Sequence, residues 1–300
     1  MYVKQDDEAL TRSYTYLSND FTSNFDTETV AVFGQLDSQL NERLSLTIGL
    51  RVEQRDADYV NSETLTFSPS ETFTGGKVVL SYQQNDDTMF YGSINRGYKA
   101  GGVNTDGTLP DNYRQFDAEY LWNYELGYKV SLLNDHAYIR AAIFYMDRED
   151  MQVKTSQVIT REDNTTEFIA SIGNSAQGYN RGVEIEAAWQ LSDTIELQSS
   201  LGILETQVDD YLNAEGELFS NPDQAHAPSY QFSAGINYQP NEQWLMSIGV
   251  EGKDSFYFSD SHEQQSQSME LVNASLSYFQ ENWQVKVWAR NLLDKDYDTR

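Results

Sequence analysis

Two features are missing from this sequence of 300 residues: cysteine, and any long apolar run. Without cysteine the chain forms no disulfide and offers no thiolate ligand to a metal. No segment approaches the roughly 18 apolar residues that a membrane-spanning helix needs, and the mean hydropathy is -0.62. A helical membrane protein is therefore excluded. A transmembrane β-barrel is not, because its strands alternate apolar with polar residues.

Basic residues are also scarce, since 20 Lys and Arg stand against 47 Asp and Glu and the net charge is -27. Nucleic-acid binding requires basic side chains that neutralise phosphates, so we predict no nucleic-acid partner. The apolar content of 39% is typical of a folded chain. The chain contains 20 Tyr, 14 Phe and 5 Trp. Tyr and Trp favour positions where one end of the side chain is dry and the other is wet, such as a membrane interface.

The start of the chain lacks a secretory signal. Residues 1–12 have neither the basic start nor the apolar core of ~7–15 residues that such a signal contains. An exported barrel is made with a signal, so we expect the native protein to begin further upstream.

From about Thr29 onward the sequence alternates with a period of two. In Tyr230–Tyr238 the apolar or aromatic residues occupy every second position and polar or small residues fill the others, which is typical of a strand with one apolar face. About twelve such segments and a partial one at the start predict an all-β fold. Three segments are less regular, with apolar groups on both faces: 30–40, 88–98 and 283–291.

The connections between these segments alternate strictly between short and long. Short turns are predicted near residues 41–42, 85–87, 134–135, 192–193, 240–242 and 280–282. The long polar stretches are about 56–74, 99–118, 149–176, 207–227 and 257–268. Tight turns at one end and long loops at the other are typical of an outer-membrane β-barrel and not of a soluble β-sandwich. Tyr and Trp recur at both ends of the strands, as in the aromatic girdles of such barrels.

Charged residues at the polar positions of the strands are predicted to face the lumen of the barrel. They are Arg51, Glu125, Lys129, Arg140, Glu184, Glu186, Glu196, Glu251, Lys286 and Arg290. Most serve a hydrated inner wall, and any one of them is a candidate for contact with a plug or a substrate. No arrangement of catalytic residues stands out, so no enzyme activity and no cofactor is predicted.

No metal site is predicted either. His136, His226 and His262 are isolated in sequence and are interpreted as ordinary surface residues. Asp294, Asp296 and Asp298 resemble the start of a calcium loop, but Thr299 occupies the position where such a loop has glycine. We therefore interpret this run as the start of a polar loop.

Five segments resemble TonB-dependent outer-membrane receptors, most closely the siderophore-receptor branch. They are AVFGQLDSQLNERLSLTIGLRVE (31–53), YGSINRGYKAGGVN (91–104), YNRGVEIEAAW (179–189), APSYQFSAGINYQ (227–239) and VWARNLLDKDY (287–297). The resemblance implies an antiparallel up-and-down transmembrane barrel of 22 strands with a plug inside it. Residues 1–300 would supply about 12–13 of those strands, without the plug, the early strands and the last strand.

The resemblance also implies a function: active uptake of a ferric siderophore or similar scarce nutrient across the bacterial outer membrane, energised through TonB. The expected partners are outer-membrane lipid and lipopolysaccharide, the protein's own plug, the TonB complex and an iron-siderophore-type ligand. Haem, cobalamin and oligosaccharides remain open as ligands. The acidic long loops favour a neutral or cationic ligand, or one held by loops elsewhere; their acidity is equally consistent with cation bridging to lipopolysaccharide. The alternatives are a passive porin-like or structural barrel and a soluble all-β binding domain.

Overall fold

The computed structural model describes residues 2–6, 10–12, 21–62, 64–106, 109–160, 166–209, 211–212, 218–219, 223–258 and 264–297. These residues are almost all in antiparallel strands, with one 3-10 turn at Asp111–Tyr113. The strands are β1 (Tyr2–Asp6), β2 (Leu10–Arg12), β3 (Phe21–Gln39), β4 (Leu44–Asn61), β5 (Thr66–Phe67), β6 (Ser70–Asn85), β7 (Thr88–Lys99), β8 (Gly102–Val103), β9 (Gln115–Phe116), β10 (Glu119–Leu132), β11 (Ala137–Thr160), β12 (Thr166–Ser192), β13 (Ile195–Val208), β14 (Tyr211–Leu212), β15 (Leu218–Phe219), β16 (Tyr230–Asn241), β17 (Trp244–Lys253), β18 (Met269–Gln280) and β19 (Trp283–Ala289).

Fifteen of these strands form one open antiparallel sheet, and thirteen of them follow one another in the order β1-β3-β4-β6-β7-β10-β11-β12-β13-β16-β17-β18-β19. The short strands β2 and β5 pair with β3 and β4, and β8–β9 and β14–β15 form separate pairs. Within the described residues β1 and β19 are the two ends of the sheet. The all-β, up-and-down arrangement and the number of strands confirm the prediction. Among these residues no helix is both long and apolar enough to cross a membrane.

All the tight turns lie at one end of the sheet, as predicted, and several are built around asparagine. The side-chain oxygen of Asn41 accepts hydrogen bonds from the backbone N–H groups of Arg43 and Leu44, at 2.9 and 3.0 Å. Asn241 does the same for Gln243 and Trp244. Asparagine favours such turns because its side chain replaces a backbone acceptor.

The sheet has one apolar and one polar face, because directly paired residues of antiparallel strands share a face. Leu50 pairs with Gly34 and Gly76, and its neighbour Arg51 pairs with Phe33 and Gly75. Following these pairs across the sheet gives the apolar face, whose members include Leu46, Ile48, Leu50, Val78, Leu80, Ile94, Leu126, Ile143, Ile185, Leu201, Ile236, Met246, Ile248, Leu276, Val285 and Val287.

The apolar face has the height of a membrane core. On β4 it extends from Leu44 to Val52, nine residues, which span about 26 Å at ~3.3 Å per residue. At the upper edge it gives way to polar side chains, which are Gln54, Arg96, Asp147, Arg181, Glu205 and Glu270. Many of its large apolar side chains are exposed, for example Leu50 at 68% and Leu126 at 62%. A surface of this kind is suited to lipid.

Aromatic residues line the lower edge of the apolar face, next to the tight turns. Ring centroids lie 4.6 Å apart in Trp244–Tyr278 and 4.9 Å apart in Phe90–Tyr128. Tyr138 also stands beside a tight turn, but it lies on the polar face, where it pairs with Ala188. The reason is the alternation of β11, which puts Tyr138 on the same face as Arg140, two residues further along.

The predicted long loop 149–176 is mostly strand. β11 and β12 stay paired as far as Thr160 and Thr166, although pairing with the neighbouring strands ends near Glu149 and Gly178. The two strands thus project as a two-stranded ribbon. Its many polar residues suggested a loop, but it is also rich in the β-branched residues that favour strands. Likewise, β4 and β6 take up much of 56–74.

Buried apolar side chains are concentrated at the end of the sheet with the long connections. Phe73 and Leu109 are each 1% exposed, and Ala57, Met151 and Phe256 are also buried. The long connections therefore pack against the strands and against one another there. This packed region is the part of the chain on which a ligand-binding surface can be held rigidly.

Candidate functional site

The polar face carries the strand residues that the sequence assigned to the inner wall. Strand register places nine of the ten predicted residues on one side of the sheet: Arg51, Glu125, Lys129, Arg140, Glu184, Glu186, Glu196, Glu251 and Lys286. The tenth, Arg290, follows the last residue of β19 and lies against the ring of Trp288, which is on the same side. They share this face because each alternates with the apolar positions of its own strand, and because directly paired residues of neighbouring strands lie on the same face. That this face borders a lumen stays a prediction.

Several of these side chains contact one another in the middle of the sheet. The Tyr91 hydroxyl donates a hydrogen bond of 2.5 Å to Glu125, and the Lys129 ammonium lies 5.2 Å from the centre of the same ring. Arg140 and Glu186 approach to 3.8 Å with exposed side chains. Sequence analysis missed Tyr91, although it lies on the polar face of its strand.

Further along the sheet the charged residues are held by amide side chains and an aromatic ring. Asn237 donates to Glu196 at 3.2 Å and Asn273 donates to Glu251 at 2.9 Å. Arg290 lies 5.4 Å from the Trp288 ring centre. This part of the polar face forms an open concavity of about 750 Å³, lined among others by Glu186, Glu251, Lys286 and Arg290.

Arg51 is tied to two groups that the sequence reading did not name. Its guanidinium forms an ion pair with Glu53 and donates a hydrogen bond of 3.2 Å to the Tyr98 hydroxyl. Glu53 is two residues further on the same strand, so the period of two could have identified it. Tyr98 could not be found this way, because it is 47 residues distant and reaches Arg51 from another strand.

A partly buried polar cluster, the mouth cluster, lies where the strands meet the long connections. We define it as Glu119, Arg148, Asn180, Thr206 and Gln224. Arg148 forms an ion pair with Glu119, which is 7% exposed, and donates to Gln224 at 2.8 Å. The Gln224 amide donates to Asn180 at 2.7 Å, and its backbone N–H donates to Thr206 at 3.0 Å.

The mouth cluster draws the long connection between β13 and β16 over the polar face. Arg148, Asn180 and Thr206 belong to three neighbouring strands, whereas Gln224 belongs to the predicted loop 207–227. No local pattern connects Arg148 with Gln224, 76 residues away. Sequence analysis therefore had no signal for this cluster.

The connection between β7 and β10, within predicted loop 99–118, is held against the wall at Gly101. Arg55 donates to the Gly101 carbonyl at 3.4 Å, and the Gly101 N–H donates to Glu71 at 3.3 Å. A Cβ at Gly101 would lie 2.5 Å from the Phe116 carbonyl oxygen. Gly101 is thus required for this close approach.

Two asparagines fasten this connection to the projecting ribbon. Asn104 is buried; it donates to the Ile172 carbonyl and accepts from the Ile172 N–H, both at 2.8 Å. Asn174 exchanges the same two bonds with the backbone of Asp117, at 2.9 and 2.6 Å. Each amide side chain pairs with backbone groups as a neighbouring strand would: Asn104 covers part of the free edge of β12, and Asn174 of β12 pairs with the backbone of Asp117.

The histidines do not form a metal centre in the described part of the chain. His136 lies in the tight turn between β10 and β11, and His226 packs 5.6 Å from the Phe256 ring. His262 and Asp298 lie outside the described residues. Within the described ranges, no three His, Asp or Glu side chains come together in a way that could hold a metal ion.

Comparison with known proteins identifies the family. The family model "TonB dependent receptor-like, beta-barrel" matches residues 2–292. The chain belongs to this family. Its members are outer-membrane transport receptors of Gram-negative bacteria, so the predicted localisation and family are confirmed.

Individual relatives are distant in sequence. The pesticin receptor of Yersinia pestis is 22% identical over 295 residues, which cover 95% of this chain and 41% of that protein. A pesticin receptor of Yersinia enterocolitica is 22% identical over 315 residues, covering 100% of this chain and 44% of that protein. The chain thus spans about two-fifths of the length of these curated relatives.

Solved structures agree on the fold. The ferric yersiniabactin uptake receptor FyuA of Yersinia pestis superposes with a TM-score of 0.75 at 21% identity, over 93% of this chain and 42% of that one. The ferric-catecholate import receptor Fiu of E. coli gives 0.72 at 16% identity, over 92% and 42%. The copper transporter OprC gives 0.69 at 14% identity, over 97% and 50%. At these identities the likeness shows the fold alone.

Proposed function

We propose that this chain is the wall of a receptor that takes up a ferric siderophore or a similarly scarce nutrient, driven through TonB. The separation of the two faces supports this most: one face suits lipid, and the opposite face carries charged side chains. In this proposal the polar face lines the lumen and contacts the protein's own plug. No bond in the ligand is made or broken, so the process is transport.

The long connections are proposed to receive the ligand. The mouth cluster and the Gly101 contacts hold two of them against the upper part of the polar face, where a ligand approaching from outside arrives first. A third set of contacts is centred on Phe256, which follows β17. The Lys253 ammonium is 4.4 Å from the centre of the Phe256 ring, and His226 packs on the same ring. Aromatic and hydrogen-bonding groups on rigid supports are suited to an organic iron chelate.

The net charge of -27 restricts the chemistry of the ligand. A strongly anionic complex would be repelled by a negatively charged protein, whereas a neutral or cationic one would not. Among the relatives, the names refer to ferric yersiniabactin, ferric catecholates and copper. We therefore propose a neutral or cationic metal chelate, and within that class a ferric siderophore.

The test is uptake of radioactive iron by iron-starved cells with and without the gene for the full-length receptor. We expect one or more ferric siderophores to enter only when the receptor is present, and uptake to stop when TonB is deleted. Normal uptake of every siderophore in the deletion strain would refute the iron assignment. Uptake that needs the receptor but not TonB would instead support a passive pore, which flux through the purified full-length protein in lipid vesicles would reveal directly.

A further inference from the structure

The apolar face contains a groove that is open to the lipid. Its floor is Gly92, which pairs with Leu80 on one side and Leu126 on the other. Because glycine has no side chain, the surrounding residues leave a concavity of about 550 Å³, whose walls are formed chiefly by Val78, Leu80, Ile94, Tyr124, Leu126 and Ile143. These are apolar or aromatic groups, so the groove suits a hydrocarbon chain.

A guanidinium lies directly above this groove. Arg96 belongs to the same strand and the same face as Gly92, four residues higher, which is roughly 13 Å along the strand. Its guanidinium carbon is 4.4 Å from the Tyr120 ring centre and 5.7 Å from that of Trp122. The aromatic rings therefore hold the charge at the upper edge of the apolar face, where lipid headgroups lie.

Among the described residues, Arg96 has no acidic partner. In the described part of the chain no carboxylate forms an ion pair with it; Nη1 donates to the carbonyl and the hydroxyl of Thr74, the latter at 2.7 Å. Its directly paired residue on β6 is Gly76, which has no side chain, so from that strand only the uncharged Thr74 is hydrogen-bonded to the guanidinium. By contrast Arg181, at the same edge, is paired with Glu205 at 2.6 Å.

We propose that this surface, the Gly92–Arg96 site, binds a phosphorylated glycolipid of the outer leaflet. One acyl chain occupies the groove and a phosphate of the sugar headgroup binds Arg96. The upper edge adjoins the long connections, which in an outer-membrane barrel face the outside, and the lipid of that leaflet is a phosphorylated glycolipid. Arginine is suited to this contact because its planar guanidinium donates to two phosphate oxygens at once.

The test measures binding of lipid A to the full-length receptor in detergent, with bisphosphorylated and fully dephosphorylated lipid A as the two probes. Wild-type receptor should prefer the bisphosphorylated form by about tenfold, as expected for a charge-assisted hydrogen bond. Arg96→Gln should remove that preference. Gly92→Leu should fill the groove and weaken binding of both probes. At Gly92 a new Cβ would meet only the end of the Leu126 side chain, at 3.2 Å, so this variant should fold.

Two matched controls separate the site from general effects on the lipid surface. Gly34 also lies on the apolar face, and a Cβ there meets nothing within 4 Å, so Gly34→Leu should leave binding unchanged. The double variant Arg181→Gln/Glu205→Gln removes a neutral pair and should retain the preference for phosphate. The proposal is overturned if Arg96→Gln keeps the preference, if Gly34→Leu weakens binding as much as Gly92→Leu, or if phosphatidylglycerol binds as tightly as lipid A.

Discussion

At the scale of single residues, burial separates the ion pairs of the polar face into two kinds. Arg148 and Glu119 have side chains 24% and 9% exposed, whereas Arg140 and Glu186 are 57% and 60% exposed. An exposed pair contributes little, because water screens it and both side chains lose rotational freedom. A buried carboxylate that loses its partner is much less stable, because it remains desolvated without compensation.

We therefore expect Arg148→Met to lower the unfolding free energy of the full-length receptor by about 1–3 kcal/mol. Arg140→Met, its matched control, should cost less than about 1 kcal/mol. Urea titration in lipid vesicles, followed by tryptophan fluorescence, measures both. Equal losses for the two variants would mean that the mouth cluster does not stabilise the barrel.

At the scale of elements, the alternation of side chains was sufficient to predict the sheet. The period of two in Tyr230–Tyr238 and similar segments predicts a strand with one apolar side. Because the apolar sides of neighbouring strands must lie on the same face, the pattern also restricts the register in which the strands pair. The same reasoning did not find the ribbon of β11 and β12. Its upper part extends beyond the pairing with β10 and β13, which ends near Glu149 and Gly178, so it does not need the one covered face that makes a strand recognisable in a sequence. Two asparagine side chains, 104 and 174, supply contacts that no local pattern encodes.

The difference between the faces predicts that the same substitution destabilises the barrel much more on the apolar face than on the polar face, even at positions that lie close together. Ile248 is central on the apolar face of β17, and Ser275 on β18 is near it but on the polar face. Ile248→Arg should destabilise the full-length barrel by about 2–4 kcal/mol, the cost of arginine near the middle of a bilayer. Ser275→Arg should have a much smaller effect, because its side chain stays in a hydrated region. Urea titration in vesicles compares the two, and similar losses would contradict the assignment of the faces.

At the scale of the whole molecule, the sequence predicted the wall better than the mouth. Charged residues on the wall, such as Glu125 and Arg140, follow from parity within a strand, which is local information. The mouth cluster joins Arg148 to Gln224 through the folding of a long connection across three strands, and this depends on tertiary packing. The Gly92–Arg96 site was also missed, because it depends on which residues are neighbours across β6, β7 and β10.

The open sheet gives a final prediction for the 300-residue chain by itself. In the described structure β1 and β19 are each paired on one side only, and Val285 and Val287 of β19 are exposed. Backbone groups without partners cost several kcal/mol each in hydrocarbon, so one free edge of seven residues would cost on the order of 10 kcal/mol or more. We expect that the isolated chain does not insert into vesicles as a monomer and is digested by added protease, while the full-length receptor is protected. Protease-resistant insertion of the isolated chain would contradict this prediction, because it would require the sheet to close. Cross-linking would then show whether two copies pair their free edges or whether β1 and β19 of one copy pair with each other.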